Sequence, residues 1–358
     1  MRAAPLALAL ALTAAGVGAE PAPTAATDPR PLRLKLVGDV MLGTDHPDDR
    51  LPADDGRGQL ARVRELLRDA DITFGNLEGA LADGLPPVKV CQDMSVCYLF
   101  RSPTRFAATL ADAGFDVMSL ANNHARDFGE EGRDSSMRAL DGVGIAHSGR
   151  AGDVASWTVE GTRIALIAFA PNTGSHQLND IAEAKALVRR LRADHDLVLV
   201  SFHGGGEGAD RTHVVKKMER FRGEARGDLV RFAHAVIEAG ADLVIGHGPH
   251  VPRALELYHG RLIAYSLGNF ATWYGISING VTGIAPVLEV ALARDGTFIG
   301  GRIHSVLQQR PEGVAPDPDR RAAQLIEQLT AQDFAGGGLK FAADGSFTGP
   351  VNHGASAL

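Results

Sequence analysis

The stretch Ala241-Asp242-Leu243-Val244-Ile245-Gly246-His247-Gly248-Pro249-His250 joins an apolar run containing β-branched residues to glycine, proline and histidine. Such a run, ended abruptly by turn residues, is typical of a buried strand that delivers polar side chains to the rim of a sheet. In open α/β sheets, ligands bind just beyond the carboxyl ends of the strands. The stretch therefore predicts a functional site around His247 and His250.

The same arrangement of an apolar strand followed by polar side chains occurs at four other places. They are Val37-Gly38-Asp39, Phe74-Gly75-Asn76-Leu77-Glu78, Leu120-Ala121-Asn122-Asn123-His124 and Val200-Ser201-Phe202-His203. Strands alternate with helices at regular intervals up to residue 250, which indicates a parallel or mixed sheet with layered helices. Two hairpins are predicted after that point, within 253–267 and 287–306, and they indicate a second sheet. We therefore expect an α/β fold in which five strand ends carry the site.

The composition and charge of the chain exclude several classes of protein. With 45% hydrophobic and 22% charged residues, the 358-residue chain is neither disordered nor fibrous. Its formal net charge is −7, and a mildly acidic exterior argues against a nucleic-acid-binding protein. Binding of an anionic ligand would then need local positive charge.

Residues 1–19 are predicted to be a secretory signal peptide, because Arg2 precedes an apolar run that ends in small residues up to Ala19. The alternative is an uncleaved membrane anchor, but the apolar run is shorter than the roughly 20 residues that span a bilayer. We expect cleavage near Ala19 and a periplasmic or secreted protein. Contact with a membrane is expected only if the signal segment stays uncleaved.

The rest of the chain divides into a main domain and a C-terminal extension. Residues 32–310 contain the strand–helix alternation and both hairpins and are predicted to form one domain. Residues 311–358 are predicted to be a linker, a helix and a loosely held tail. Cys91 and Cys97, the two cysteines of the chain, are predicted to form a structural disulfide in an exported protein.

The polar side chains at the five strand ends form a set that suits divalent metal ions. Carboxylate oxygens and neutral imidazoles together favour zinc, manganese or iron, and two such ions can share a hydroxide. The predicted metal ligands are Asp39, Glu78, Asn123, His203, His247 and His250. Asp39 and His124 are the predicted catalytic residues, with His124 as a general acid beside the leaving group. Each residue alone is better explained as a cap or a hydrogen-bonded group at a strand end, but the set as a whole points to a site.

Six motifs, in order along the chain, resemble those of the CapA family. They are GDVMLG at 38–43, FGNLEG at 74–79, GFDVMSLANNHARDFG at 114–129, HGGGE at 203–207, GADLVIGHGPHV at 240–251 and YSLGNF at 265–270. Members of this family are associated with the synthesis or export of poly-γ-glutamate capsules, and the family is grouped with calcineurin-like metallophosphatases. The resemblance implies a four-layer α/β/β/α sandwich of the metallophosphatase type. It also implies a divalent metal (Mn, Zn or Fe), with one or two ions.

The resemblance further implies an anionic polymer or a phosphoester as the substrate, and capsule synthesis machinery as a partner. Four residues of the motifs are predicted to contact the substrate or to support the ligands, namely Asn76, Asn122, Glu207 and Asn269. For Asn269, which ends a predicted strand next to the site, a role in a turn is an equally good explanation.

The sequence departs from the usual metallophosphatase pattern at three places. Met41 stands where an Asp-x-His motif has histidine, and methionine is a poor ligand for hard divalent metals. Asn76 and Glu78 stand in place of a bridging aspartate, and Gly204 replaces an aromatic residue common in relatives. Asp45 and His46 are alternative ligands, although they also fit a solvated loop. One metal ion, or none, is therefore compatible with this ligand set.

Three functions are compatible with the sequence. The leading hypothesis is a metal-dependent hydrolase of the cell envelope that acts on a phosphoester or on an amide of an anionic polymer. The second is a metal-free acid–base enzyme that uses Asp39 with His250 or His124. The third is a non-catalytic module that binds or exports a polyanion during capsule assembly.

Overall fold

Two mixed β-sheets organise the chain, whose residues 30–91 and 97–350 are described by a computed structural model. The first sheet has the strand order Lys340–Phe341, Ser346–Thr348, Phe298–Gln309, Ile284–Leu292, Leu32–Met41, Ile72–Leu77, Val117–Ser119 and Ala146–Ser148. Two more strands join it, Asn269–Thr272 beside Leu32–Met41 and Gly313–Pro316 beside Phe298–Gln309. The predicted signal peptide lies outside the described residues.

The second sheet contains the stretch that ends at His247. Its strand order is Leu255–Tyr258, Arg261–Ala264, Leu243–His247, Leu197–His203, Thr162–Ala170 and Ala155–Val159, with His176–Gln177 beside Thr162–Ala170. Two small two-stranded sheets complete the β-structure, formed by Glu219–Phe221 with Glu224–Gly227 and by Ala80–Leu81 with Arg101–Ser102. The described helices are Arg57–Leu60, Arg64–Arg68, Phe106–Ala113, Gly129–Asp141, Ile181–Asp194, Leu229–Glu238 and Arg321–Asp333, with a 3₁₀ turn at Gly280–Gly283.

The buried side chains show that the two sheets face each other between outer layers of helices. Leu34 of the first sheet and Leu199 of the second belong to one hydrophobic core, which fills the space between the sheets. The opposite faces carry Val40 and Val200, which pack in two separate cores with residues of the helices. Successive residues of a strand point to opposite faces, so each central strand contributes to two cores. The predicted four-layer α/β/β/α sandwich is confirmed.

The two C-terminal hairpins were predicted to form a second sheet, and this interpretation was wrong. The hairpin Leu255–Tyr258 with Arg261–Ala264 extends the sheet of Leu243–His247, whereas Ile284–Leu292 with Phe298–Gln309 extends the sheet of Leu32–Met41. A hairpin pattern fixes pairing between its own two strands, but the open sheet edge onto which the hairpin docks is decided by tertiary packing.

The segment after residue 310, predicted to be a linker, a helix and a loosely held tail, contains a helix and also strands that join the first sheet. Gly313–Pro316 and Ser346–Thr348 both pair with the long strand Phe298–Gln309, and the helix Arg321–Asp333 buries Ile326 and Leu329. Phe347 is buried in the core between the sheets. Phe347 stands between polar residues and gives no periodic signal in the sequence, yet its ring packs in the core and stacks on Phe341. Residues 351–358 lie outside the described part of the chain.

The described residues contain the predicted disulfide and lack a membrane-spanning helix. A disulfide joins Cys91 to Cys97, whose Cα atoms are 5.7 Å apart. Within the described ranges, none of the helices has the length and apolar character needed to cross a bilayer.

Candidate functional site

The predicted strand ends meet at one edge of the sandwich because the strands that carry them run parallel to one another. In the first sheet, Asp39 is in register with Asn76 on one side and with Asn269 on the other. In the second sheet, His203 is in register with His247. Parallel neighbours present their carboxyl ends at the same edge of a sheet. The structure therefore brings together residues that are more than 200 positions apart in the sequence.

Asp39, His203 and His247 form a compact cluster in which one ligand atom from each lies within 4.8 Å of the others. All three side chains are fully buried. The two imidazoles approach each other, with His203 Nδ1 at 3.1 Å from His247 Nδ1. Asp39 comes from one sheet and the two histidines come from the other, so the cluster bridges the interface between the sheets.

Several polar atoms around this cluster have no hydrogen-bond partner among the described residues. They are Glu78 Oε1, His203 Nε2 and Asn123 Oδ1. The other carboxylate oxygen of Glu78, Oε2, is 3.6 Å from His203 Nδ1. Leaving a buried donor or acceptor unsatisfied costs about 1–3 kcal/mol, so native structures almost always pair such atoms with protein groups, water or ions. Carboxylate, amide and imidazole groups are all ligand types that suit a divalent cation.

The protonation states of the cluster also suit a cation. Burial lowers the pKa of His203 well below its usual range, and the neighbouring His247 adds to this effect. Burial lowers the pKa of His247 to about 4. Both imidazoles are therefore neutral near pH 7, and the neutral ring is the form that coordinates metal ions. Burial, followed by the charge of Asp39, raises the pKa of Glu78 to about 8.

His250 lies beside the cluster and contacts two oxygens of the first sheet. Its Nδ1 lies 2.9 Å from Asp39 Oδ2 and 2.9 Å from Asn269 Oδ1, so it donates a hydrogen bond shared by two oxygens. Burial opposes the charge of His250, but the hydrogen bond and charge of Asp39, with the charges of Glu78 and Glu207, raise the pKa to about 10. Through this contact His250 holds Asp39 in place.

Two asparagines connect the carboxylates of the first sheet. Asn76 Nδ2 donates to Asp39 Oδ1 at 2.8 Å and to Glu78 Oε2 at 2.5 Å, so one amide group bridges both carboxylates. Asn122 Nδ2 in turn donates to Asn76 Oδ1 at 3.0 Å, which fixes the orientation of the bridging amide. Asn76 and Asn122 therefore connect Asp39 and Glu78 through a continuous set of hydrogen bonds.

His124 lies at the mouth of the site and is oriented by a residue that the sequence interpretation missed. Its Nδ1 is 2.7 Å from Asp127 Oδ2, and its ring packs on Phe100 with centroids 4.4 Å apart. Asp127 is fully buried and also accepts a hydrogen bond from the backbone N–H of Phe100. The spacing of three residues between His124 and Asp127 in the HARD motif is the only sequence signal for this pair.

Two other contacts of the site also went unpredicted. Arg226 Nη2 donates to Glu207 Oε1 at 2.8 Å, and Glu207 Oε2 is 3.9 Å from His250 Nε2. Ser201 Oγ lies 3.0 Å from His247 Nε2, where it fixes the imidazole orientation. Arg226 belongs to the small hairpin after the HGGGE motif, and nothing in its sequence surroundings points to the site.

The alternative ligands suggested by the sequence lie elsewhere. Asp45 accepts a hydrogen bond from Arg101 Nε at 2.6 Å, and the ring of His46 packs edge-on against Phe128. Met41 packs in a small apolar cluster with Phe100 and Ile276. The structure therefore assigns these three residues to loop and core contacts.

Three adjoining cavities, which have Tyr98 as a common lining residue, lie next to neighbours of the cluster, whereas Asp39, His203 and His247 line none of the three. The central cavity, of about 560 Å³, is lined by His124, Glu207, His250 and Asn269. The basic cavity, of about 430 Å³, shares His124 and Glu207 with it and is bordered by Lys89, Arg126, Arg222 and Arg226, together with acidic residues such as Glu224. The aromatic cavity, of about 540 Å³, is lined by Tyr98, Phe100 and Tyr274 among others. The site is thus open to a ligand larger than a single small molecule.

Comparison with known sequences identifies the family. Residues 33–274, more than half of the chain, match the sequence model of the family described as "Bacterial capsule synthesis protein PGA_cap". The chain belongs to this bacterial capsule synthesis family. All of the cluster residues, and His124, Glu207, His250 and Asn269, lie within the matched range. The predicted membership of the CapA family is confirmed.

Relatives within the capsule synthesis family include two named proteins. The capsule biosynthesis protein CapA of Bacillus anthracis is 26% identical over 343 residues, which cover 90% of this chain and 78% of the relative. The PGA biosynthesis protein CapA of Bacillus subtilis is 26% identical over 248 residues, which cover 67% of this chain and 63% of the relative. Among solved structures, the 5′-nucleotidase precursor of Thermus thermophilus matches with a TM-score of 0.45 and 14% identity, over 84% of this chain and 58% of that protein.

Proposed function

We propose that this protein is a metal-dependent hydrolase of the cell envelope that acts on an anionic substrate during capsule synthesis or processing. The observation that carries the proposal is the buried cluster of Asp39, His203 and His247 with unpaired ligand atoms beside it. The substrate that we propose is an amide or phosphoester linkage of an anionic polymer. Poly-γ-glutamate is the leading candidate, because a relative in this family is named a PGA biosynthesis protein.

The residues fit a bound cation in both number and chemistry. Asp39, His203 and His247 would hold a divalent ion such as manganese, zinc or iron, with Glu78 and Asn123 as further oxygen ligands. Bound there, the ion would act as a Lewis acid toward the scissile group. Asn76 and His250 orient the two oxygens of Asp39, and Ser201 orients His247. Supporting contacts of this kind commonly determine metal affinity.

His124 is suited to move a proton at the leaving group. The carboxylate of Asp127 accepts from Nδ1, which leaves Nε2 as the ring nitrogen that exchanges a proton with the substrate. His124 also lines both the central and the basic cavity, so a ligand in either cavity meets its ring. Its role as a general acid requires this position and orientation.

An anionic substrate fits the charges around the cluster. His250, whose pKa is raised and whose ring donates to Asp39, offsets part of the negative charge of the buried carboxylates. A divalent cation would then make the centre positive. The basic side chains at the rim of the basic cavity extend this positive region outward, although Arg226 and Lys89 also pair with Glu207 and Asp127.

Export is part of the proposal. A disulfide between Cys91 and Cys97 persists in oxidising compartments such as the periplasm or the extracellular space. This agrees with the signal peptide predicted for residues 1–19. Amino-terminal sequencing of the protein recovered from the periplasm or medium should give a terminus near Glu20.

The test of the proposed function begins with metal analysis. The purified protein is incubated with Mn²⁺ or Zn²⁺, freed of unbound ions and measured by elemental analysis, with Asp39→Ala and Asp45→Ala as matched variants. We expect about one or more ions per chain in the wild type and in Asp45→Ala, and a substoichiometric amount in Asp39→Ala.

The loaded protein is then assayed against a chromogenic phosphomonoester and against γ-linked glutamate oligomers. Hydrolysis that is lost in both Asp39→Ala and His124→Ala would support the proposal. Bound metal without hydrolysis of either substrate would favour a binding module. Activity that persists after chelation would favour a metal-free acid–base enzyme and overturn the metal-dependent mechanism.

A further inference from the structure

Tyr98 occupies a position that the proposed reaction does not explain. Its side chain is 49% exposed, which is unusual for a large aromatic residue next to a buried site. It lines all three cavities, the basic, the central and the aromatic one. A chain that occupied more than one of these cavities would therefore have this ring as a common neighbour.

Contacts on both sides hold Tyr98 in place. Its backbone carbonyl accepts a hydrogen bond from Lys89 Nζ at 3.3 Å, and its neighbour Cys97 is joined to Cys91 by the disulfide. Its ring stacks on Phe100, with centroids 6.2 Å apart and an angle of 19° between the planes. Phe100 in turn packs on His124. The exposed face of Tyr98 is thus preorganised, and a tyrosine loses little conformational entropy when it binds a ligand.

Lys89, which holds the backbone of Tyr98, also contacts Asp127, and Asp127 orients the proposed general acid His124. Lys89 Nζ is 3.0 Å from Asp127 Oδ1, and the backbone N–H of Phe100 donates to Asp127 Oδ2. The backbone N–H groups of Val88 and Lys89 donate to the backbone carbonyl of Asp127. Asp127 also holds His124. One buried carboxylate therefore fixes the distance between the exposed ring and the imidazole.

The cavities are larger together than one small ligand requires. A pocket for a drug-sized molecule has a volume of about 300–1,000 Å³, and each of the three cavities, at about 430, 540 and 560 Å³, lies within that range. They differ in character, because one is bordered by arginine and lysine and another by Tyr274 and Phe100. A ligand that used all three would be an extended chain with anionic groups and planar apolar faces.

From this arrangement we infer that Tyr98 is a binding residue for several consecutive units of an anionic polymer, whose chain passes this ring with units in the cavities that adjoin it. The identity of the polymer in this inference rests on the proposed function. The inference adds to that function that the protein binds an internal part of a polymer chain, and not only its end. Stacking of planar amide groups on the tyrosine ring supplies the contact, and the basic cavity receives carboxylates.

The experiment compares the affinities for a short and a long oligomer, and the effect of replacing the aromatic ring at position 98. Binding of γ-linked glutamate oligomers of about two and about ten units is measured by calorimetry with the Mn²⁺-loaded protein, for the wild type, Tyr98→Ala, Tyr98→Phe and Ile299→Ala. Ile299 is a matched control because it is 47% exposed but lies outside these three cavities. We expect Tyr98→Ala to weaken binding of the long oligomer about five-fold, in line with the usual contribution of an aromatic contact. Tyr98→Phe and Ile299→Ala should stay within about two-fold of the wild type, and the short oligomer should show a smaller loss.

Melting temperature and metal content, measured on the same samples, separate loss of a contact from loss of structure. An unchanged affinity of Tyr98→Ala for the long oligomer, an equal loss in Ile299→Ala, or no binding of either oligomer by the wild type would overturn the inference. If the protein hydrolyses the oligomers equally well with and without Tyr98, the inference about Tyr98 is refuted and the proposed hydrolysis stands. A protein that binds the long oligomer through Tyr98 without cleaving it would refute only the proposed hydrolysis.

Discussion

His250 has a left-handed backbone with a φ of 62°, a conformation that residues other than glycine adopt at some cost. Hydrogen bonds from His250 Nδ1 to Asp39 Oδ2 and to Asn269 Oδ1 stabilise this conformation. The sequence placed His250 at the site because it follows a buried strand by three residues. It could not show that the ring would face a carboxylate, because the direction of the imidazole depends on that φ angle and on a strand from the other sheet.

This contact leads to a prediction about metal affinity. His250→Ala should weaken Mn²⁺ binding about 10- to 100-fold, since removal of a side chain that orients a metal ligand commonly has an effect of this size. His259→Ala is the matched control, because His259 also has a positive φ, of 49°, but is exposed in a hairpin turn. Equal affinities of the two variants, measured by competition with a fluorescent chelator, would contradict the assignment of His250 to the site.

The residues predicted at the ends of the central strands were found at one edge because parallel pairing is a general rule that a sequence pattern can reveal. His203 and His247 are examples, as each is the last residue of its strand. Asp127 and Arg226 were missed because they lie outside such runs, in a turn and in a short hairpin. Their importance comes from single contacts with His124 and Glu207, which no local pattern encodes.

At the scale of elements, a buried ion pair attaches the small hairpin 219–227 to the body of the protein. Arg253 is fully buried, and its Nη1 and Nη2 donate to the two carboxylate oxygens of Glu219 at 2.8 and 2.9 Å. Glu219 also accepts from the backbone N–H of Gly206 at 2.9 Å. The pair therefore connects the loop that follows His203, the strand that begins the hairpin, and the segment after His250.

Removal of one partner of the Arg253–Glu219 ion pair should strongly destabilise the fold. Arg253→Met leaves the Glu219 carboxylate buried without its counter-charge, so we expect the free energy of unfolding to fall by about 3–5 kcal/mol in urea denaturation. The double variant Arg253→Met with Glu219→Leu should recover part of this loss, because neither charge remains. Arg64→Met, which removes an exposed partner of Asp112, should change stability by less than about 1 kcal/mol. A double variant no more stable than Arg253→Met would argue against the buried charge as the cause.

A second connection between elements depends on pH. His147, in the strand Ala146–Ser148, is 3.2 Å from Asp141 at the end of a helix and 3.1 Å from Asp153. Burial opposes its charge, but the hydrogen bond and charge of Asp153, with the charge of Asp141, raise its pKa. A raised pKa in the folded state gives stability that is complete below the unfolded pKa of about 6.5 and is lost as the pH rises through the folded value.

His147→Gln should therefore cost more stability at pH 5.5 than at pH 9. Hydrogen bonds to charged groups contribute about 1.5–3 kcal/mol, so the difference between the two pH values should be about 1–2 kcal/mol in chemical denaturation. His259→Gln serves as the control, since its exposed ring lies in a hairpin turn. A loss in His147→Gln that is the same at both pH values would show that the histidine contributes through packing alone.

For the molecule as a whole, the position of the cluster links metal binding to the stability of the sandwich. Asp39 and Glu78 come from the first sheet, whereas His203 and His247 come from the second. Most contacts between the two sheets are apolar and belong to a single shared core. A cation at the cluster would add a polar connection at the edge where ligand atoms from both sheets lie close together.

This arrangement predicts that metal stabilises the whole fold and not only the site. A ligand that binds only the folded state raises the free energy of unfolding by about 2.7 kcal/mol at a concentration of 100 Kd. Mn²⁺ or Zn²⁺ at that level should therefore raise the urea midpoint of the wild type, and a chelator should reverse the change. His203→Ala should lose the response, while His259→Ala should keep it. Equal stabilisation of both variants would mean that the ion binds elsewhere, and the bridge between the two sheets would then have no part in the function of this protein.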